Sequence, residues 1–188
     1  MKPIALAASV AALLATPLAA HAQAANSTVT LTGEVEKACV LGDPDTAELE
    51  LGDLTGDDGR LDPGLVGAGV AAFTAIPVAW CNAPSVISLD AAPLSLVTPP
   101  AYSSPAGFSR LITYTADLGG WFDALSDRPI IGDSAKTSPA SSAHAANPLE
   151  IEISDLATLD AAGTTEADAF LEAGAYSATI IIGLSVQP

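Results

Sequence analysis

Several short stretches of the chain alternate between hydrophobic and polar residues with a period of two, which predicts β-strands. The most regular stretch lies near the C-terminal end, where one face is apolar throughout: Tyr176, Ala178, Ile180, Ile182, Leu184 and Val186. Its other face is mostly small and polar, with Ile181 as the exception. A second regular stretch, predicted as a strand from Thr28 to Glu36, presents on one face Val29, Leu31, Gly33 and Val35.

Shorter stretches of the same kind predict further strands at residues 48–51, 76–80, 86–89, 111–116 and 150–153. The chain's 14 Pro and 15 Gly leave little room for long helices, although 160–172 could hold a short helical turn. Short strands separated by turn residues are typical of an antiparallel β-sandwich. The sequence therefore predicts an all-β fold with two surface loops, Gly52–Gly69 and the Ser-, Ala- and Pro-rich Ser134–Pro148.

The first 22 residues have the organisation of a secretory signal peptide. Lys2 gives a basic start, Ile4–Leu18 is apolar, and Ala20-His21-Ala22 places small residues where a signal peptidase cuts. We expect cleavage after Ala22, or two residues later, leaving one domain over 23–188. The uncharged Pro63–Leu89 stretch is interrupted by Gly and Pro, so it predicts a buried β region and no membrane span after signal cleavage.

The charge of the chain limits its partners. There are 22 acidic and 6 basic side chains, a formal net charge of -16. Nucleic acid is excluded as a partner because phosphate binding needs clustered Lys and Arg. Hydrophobic residues make up 49% of the chain, which excludes disorder by composition. The Asp residues between Asp43 and Asp62 do not follow the ligand order of an EF-hand, so they predict a solvated acidic face and no metal site.

The cysteine and histidine residues give no sign of catalysis. In an exported chain, Cys39 and Cys81 predict one disulfide, the alternative being two buried thiols. A Ser/His/Asp triad around His144 is disfavoured because that histidine lies in the low-complexity loop. The hydrolase, phosphate-loop and metalloprotease motifs are also missing from the sequence. We therefore expect no enzyme activity, no catalytic residues and no cofactor.

The order of several motifs suggests a family. Residues 27–39, STVTLTGEVEKAC, resemble the opening of chaperone–usher pilin subunits and of the related spore coat protein U-like domain. Further along the chain, residues 49–54 resemble that family's short strand ending in Gly, and residues 78–82 its second-Cys strand. Residues 111–116 resemble its central Tyr strand, and Gly174-Ala175-Tyr176 with the alternating tail resembles its C-terminal strand.

This resemblance implies an immunoglobulin-like sandwich that lacks its final strand. In such subunits a periplasmic chaperone lends the missing strand, an outer-membrane usher exports the subunit, and the N-terminal segment of a like or related subunit then replaces the chaperone's strand. The resemblance implies a donor strand with pocket-filling Val29, Leu31 and Val35 and with Gly33 at a close approach. It also implies a C-terminal strand that borders the groove through Tyr176, Ile180, Ile182 and Leu184, and it places the Cys39–Cys81 bond between two strands.

The role of the N-terminal segment stays open at the level of sequence. If Thr28–Glu36 is the subunit's own first strand, only about five residues precede it after cleavage, which is short for a donor. In the spore coat protein U-like domains, the archaic branch of this group, the segment before the first Cys is itself the donor, which fits better. A third alternative is that the segment pairs within its own domain.

The resemblance favours a structural subunit of a surface fibre or coat, exported through the periplasm to the cell surface. The alternative is a secreted binding module that does not polymerise, for example an adhesin that recognises a surface glycan. Few aromatic residues and single-domain length argue against that alternative.

Overall fold

The computed structural model describes residues 29–67, 69–140, 147–166 and 168–187. The chain divides between Val35 and Glu36 into two units. Of the first unit, residues 29–35 are described; they form no strand, and their large apolar side chains are exposed. The predicted signal peptide, its two cleavage positions and Thr28 lie outside the described residues.

The second unit holds all strands of the described chain and is all-β there. The strands are β1 (Cys39–Leu41), β2 (Val70–Ile76), β3 (Ala79–Cys81), β4 (Ser85–Ala91), β5 (Leu94–Leu96), β6 (Phe108–Ser109), β7 (Leu111–Gly119), β8 (Leu125–Asp127), β9 (Lys136–Ala140), β10 (Leu149–Leu159), β11 (Phe170–Leu171), β12 (Tyr176–Ser177) and β13 (Ile180–Val186).

The largest sheet has the order β12-β5-β7-β10-β2, and β8 pairs with β7 beside this path. All of its pairings are antiparallel. The central strand β7 alternates as the sequence predicts and directs into the core Ile112, Tyr114, Ala116 and Leu118. Tyr114 satisfies its buried hydroxyl by donating a hydrogen bond to the carbonyl oxygen of Ala92 at 2.7 Å. Burial, and then the nearby Asp127 carboxylate, raise the pKa of Tyr114.

The second layer is the antiparallel sheet β13-β4-β9. Ile87 and Leu89 of β4 are fully buried and belong to the same apolar cluster as the inward side chains of β7 and β10. Two small sheets lie beside these layers: β1 pairs antiparallel with β3, and β6 pairs parallel with β11. The predicted antiparallel sandwich is therefore confirmed, with one short parallel pair as a local exception.

Most predicted strands lie where the alternation placed them. The stretches at 86–89, 111–116 and 150–153 fall on β4, β7 and β10, whereas the predicted strand at 76–80 is interrupted at residues 77–78, between the end of β2 and the start of β3. The C-terminal strand differs in being divided at Ala178 and Thr179. Its first part, β12, pairs with β5 of the large sheet, whereas β13 pairs with β4. The chain thus passes from one layer to the other within a single alternating stretch.

Other local predictions were wrong. Residues 29–36 and 48–51 form no strand, although both alternate, because neither gains a ladder partner among the described residues. The predicted loop Ser134–Pro148 contains β9, which pairs with the exposed edge of β4 through its backbone. Residues 141–146, including His144, lie outside the described chain.

The described part of 160–172 contains no helix. Its chain reverses direction instead, since the Asp160 carboxylate accepts hydrogen bonds from the N–H groups of Ala162 and Thr164 at 2.9 and 2.8 Å. Within the described ranges, we find no helix of the length and apolarity that crossing a bilayer requires.

Candidate functional site

Strand β13 is paired along one edge only, as far as the described chain extends. It lies antiparallel to β4, and no described strand pairs with its other edge. Ala92 N–H donates to the Thr179 carbonyl at 3.0 Å, and Gln187 N–H donates to the Pro84 carbonyl at 2.8 Å. Because successive residues of an antiparallel strand face opposite edges, the odd-numbered residues face β4. The open edge therefore carries the N–H and C=O groups of Ile180, Ile182, Leu184 and Val186.

An apolar groove lies along β13, within the unit Glu36–Pro188. It encloses about 1200 Å³, more than the roughly 300–1,000 Å³ of small-molecule pockets. Its floor comes from the core, including Ile76, Leu94, Tyr114, Ile151, Ile153 and Leu171. On the β13 side it is lined by Ile180 and Ile182, and it is also lined by Leu41 of β1 and by Leu49, Leu51 and Leu54. Its many aliphatic lining residues suit the apolar side chains of an extended polypeptide.

The side of the groove opposite β13 is an irregular segment, residues 47–54, which we call the wall. Leu49, Leu51 and Leu54 are half-buried and pack against the core, while Glu48 and Glu50 are exposed. No backbone hydrogen bond joins residues 47–53 to another described residue; the flanking ones are Asp45 N–H to Ala75 and Asp62 N–H to Leu54. The wall thus resembles a strand in its alternation but has no ladder partner. Both sides of the groove offer free backbone groups.

Carboxylates line the groove and no Lys or Arg of the described chain does. They are Glu48, Glu50 and Asp53 of the wall, together with Glu172. The pKa of Asp53 is lowered by hydrogen bonds from the backbone and side chain of Thr55, so this carboxylate is ionised at neutral pH. The ion pairs of Arg60, Arg110, Arg128 and Lys136 are made with carboxylates outside the wall. The wall therefore presents an uncompensated negative charge.

Glu172 differs from the wall carboxylates because it is partnered. Its side chain is 8% exposed, and Arg110 Nε lies 2.9 Å from Oε1 as an ion pair. Ser104 Oγ donates a hydrogen bond to the same oxygen at 2.5 Å. That hydrogen bond, and then Arg110, hold the pKa of Glu172 below its ordinary value. The group ties the loop around Ser104 to the chain that leads into β12.

Tyr176 lies at the start of β12, half-buried against the core, and lines the groove. Its hydroxyl donates towards two carbonyl oxygens, Glu172 at 2.9 Å and Ser109 at 3.2 Å. Burial, and then the nearby Glu172 carboxylate, raise the pKa of Tyr176 to about 12. The Tyr176 side chain is only partly buried.

The N-terminal segment is fixed where it joins the sandwich. The predicted Cys39–Cys81 disulfide is confirmed and joins β1 to β3. One residue beyond each Cys, Asn82 N–H donates to the Ala38 carbonyl at 3.0 Å. The Asn82 side chain continues this ladder, accepting from Ala38 N–H at 2.6 Å and donating to the Glu36 carbonyl at 2.7 Å.

Before Glu36 the described chain has no strand. Val29, Leu31 and Val35 are 81%, 93% and 84% exposed, and an added Cβ at Gly33 would meet nothing within 4 Å. The segment therefore alternates in sequence, but its apolar side chains are exposed. The predicted donor role of these four residues stays a prediction.

The other predicted residues are distributed as follows. Ile180, Ile182 and Leu184 are half-buried and pack on the core, and the first two line the groove. The sequence did not reveal the wall as a groove side, although the Leu49/Leu51 alternation was its signal. The Glu172 cluster was also missed, because Ser104, Arg110 and Glu172 are distant in sequence.

Within the described residues, no group of three His, Cys, Asp or Glu is arranged to hold a metal ion.

Comparison with known proteins gives no relative: no family model, curated protein or solved structure matches the chain. We therefore interpret the site from its own geometry and chemistry.

Proposed function

We propose that this protein is a structural subunit of a secreted surface fibre or coat, and that a strand donated by another chain completes its sandwich. The observation that carries the proposal is the open edge of β13 beside a groove of about 1200 Å³. A sheet edge with free N–H and C=O groups accepts a further strand readily. An apolar groove beside it gives alternate side chains of that strand a place to pack.

The N-terminal segment has the matching properties of a donor. Its apolar residues follow each other at a spacing of two, and they are exposed in the described chain. Burial of a Val or Leu side chain contributes about 1.5–3 kcal/mol. Three such residues in a neighbouring chain's groove would contribute several kcal/mol before the loss of conformational freedom is counted.

The wall offers an explanation for why a donor is needed. A single added strand between β13 and residues 47–53 would hydrogen-bond on both sides, because both sides have free backbone groups. It would also cover the half-buried side chains of Ile180, Ile182, Leu49 and Leu51. Until then the groove is an exposed apolar surface, which favours association with other chains.

This proposal includes an assembly route. The signal-peptide pattern supports export, and an exported chain with an open groove needs protection before it assembles. We therefore propose a periplasmic chaperone and an outer-membrane usher as partners, with like or related subunits as the final partners. The fibre or coat would be displayed on the outer cell surface.

The test is the assembly state of the mature chain purified from the periplasm or the cell surface. Strand exchange predicts ladders of subunits that survive mild detergent without heating and collapse to monomer on boiling. Intermolecular disulfides would give a similar ladder, so the samples should be compared with and without reductant. A chain that stays monomeric at every concentration, with its groove accessible, would favour the binding-module alternative.

A further inference from the structure

The charges along the groove favour one kind of donated strand over another, and this inference rests on the proposed function. The wall alternates half-buried leucines that pack on the core with exposed carboxylates, and both line the groove. A strand added beside the wall would place its own outward residues next to Glu48, Glu50 and Asp53. Like charges directly across a strand pair are destabilising, and opposite charges are stabilising.

The chain's own N-terminal segment is poorly matched to this wall. With Val29, Leu31 and Val35 directed into the groove, its outward residues are Thr28, Thr30, Thr32, Glu34 and Glu36. The wall carboxylates occur along residues 48–53, over a length of roughly 17 Å at the rise of an extended chain. The influence of each carboxylate extends about one Debye length, roughly 8–10 Å, so the negative potential reaches beyond both ends of that stretch. Glu34 and Glu36 would meet negative charge in most registers.

No basic residue of the groove relieves this mismatch. The basic side chains of the second unit that form ion pairs do so with other carboxylates. Glu172 is compensated by Arg110, but the wall carboxylates have no such ion pair among the described residues. The field at the open face of the groove is therefore negative.

We infer that the groove is built for a strand from a less acidic partner chain, apolar on its inward face and neutral or basic on its outward face. A second copy of this chain is then the weaker donor. Electrostatic complementarity of this kind selects between partners more than it adds raw affinity. In a fibre it would favour alternation with, or capping by, a different subunit.

The test compares labelled peptides binding to the mature chain in its monomeric fraction. One peptide has the chain's own residues 27–37, and the second differs from it by Glu34→Lys and Glu36→Lys. We expect the Lys peptide to bind about tenfold tighter at low ionic strength, with the ratio approaching one at about 1 M salt. A peptide with Leu31→Asp serves as the control for groove binding.

Two double variants of the acceptor chain show which carboxylates cause the preference for the Lys peptide. Glu48→Gln with Glu50→Gln should remove most of the preference, since these exposed residues supply two of the three wall carboxylates. Glu150→Gln with Glu152→Gln is the matched control, because these residues of β10 alternate with Ile151 and Ile153, which line the groove. Their carboxylates therefore face the opposite side of the sheet, and this variant should keep the preference.

The outcomes separate the inference from the proposed function. If the chain's own peptide binds as tightly as the Lys peptide at low salt, the groove accepts a second copy and the inference is wrong. If neither peptide binds, the proposed function fails as well. A preference that persists in the Glu48→Gln, Glu50→Gln variant would also overturn the inference.

Discussion

Asn82 and Ala38 are joined by two hydrogen bonds, one from each backbone N–H. Asn82 N–H donates to the Ala38 carbonyl at 3.0 Å, and Ala38 N–H donates to Asn82 Oδ1 at 2.6 Å. The side-chain amide takes the place of the next backbone residue, because β3 turns away after Cys81 towards Pro84. The ladder of β1 and β3 therefore ends in the Asn82 side chain, which holds the backbone at Ala38 and Glu36.

Removing the Asn82 side chain should loosen the backbone at Glu36 and Ala38. For Asn82→Ala, we expect faster hydrogen exchange at the Ala38 amide and a free energy of unfolding lower by about 1–3 kcal/mol. Exchange measured by NMR or mass spectrometry would show it. Asn147→Ala is a suitable control, since Asn147 bonds to Ala79 through its backbone N–H. Unchanged protection of Ala38 in the Asn82→Ala variant would show that the side-chain bond contributes nothing.

The disulfide next to this bond should contribute more. Cys39 and Cys81 are 42 positions apart in sequence, and the chain-entropy model gives about 4 kcal/mol for closing a loop of this size. The Cys39→Ser, Cys81→Ser variant should lose that amount in chemical unfolding at neutral pH. Thiol labelling of unreduced folded protein should find no free thiol, and two labelled thiols per chain would contradict the bond.

The sequence predicted strands well where alternation and burial coincide. The stretch 111–116 lies in β7, whose inward residues fill the centre of the core, so its pattern reflects a real packing requirement. At residues 48–51 the same alternation holds, yet there is no strand, because a strand also needs a ladder partner. For β9 the converse applies: Lys136–Ala140 has a weak pattern but pairs with the free edge of β4.

The groove itself could not be predicted from the sequence in detail. The resemblance suggested that the alternating tail borders a groove, but pattern alone cannot show that this tail changes layer at Ala178 and Thr179. That change of layer leaves one edge of β13 open. The groove is lined by segments more than 100 residues apart, such as those of Leu49 and Ile182. Alternation in sequence contains no information about such pairs.

The donor role predicts a face-specific effect in the N-terminal segment. Leu31→Asp should leave the fold and its export intact, because Leu31 is 93% exposed in the described chain. It should block assembly, since an aspartate entering an apolar groove would cost several kcal/mol. Thr32→Asn, on the outward face, is the control and should reduce assembly far less, because it adds a polar side chain without adding negative charge beside the wall. Subunit ladders in mild detergent provide the measurement, and wild-type ladders from Leu31→Asp would exclude this face as the donor.

The Glu172 cluster predicts a loss of stability in acid. The folded-state pKa of Glu172 is lowered from the ordinary value of 4.5, first by the Ser104 hydrogen bond and then by Arg110. A carboxylate with a lowered folded-state pKa stabilises the fold at pH values above its ordinary pKa. This contribution disappears as the pH falls through the folded-state pKa. Melting temperatures between pH 7 and pH 3 should therefore decline less steeply for Glu172→Gln than for the wild type. Glu150→Gln, at an exposed position, should decline like the wild type.

Finally, Ile181 and Ile182 should differ although they are neighbours of the same type. Ile181 is 59% exposed and faces outwards, whereas Ile182 packs on the core and lines the groove. Ile182→Ala should lower the free energy of unfolding by about 2 kcal/mol, the low end for a packed isoleucine because the side chain is half-buried. It should also weaken binding of a donor peptide, since the peptide loses an apolar surface to pack against. Ile181→Ala should leave peptide binding unchanged and the unfolding free energy within about 0.5 kcal/mol of the wild type. Calorimetry and peptide titration on both variants separate the two effects, and equal losses of peptide binding would show that the groove does not select between the two faces of β13.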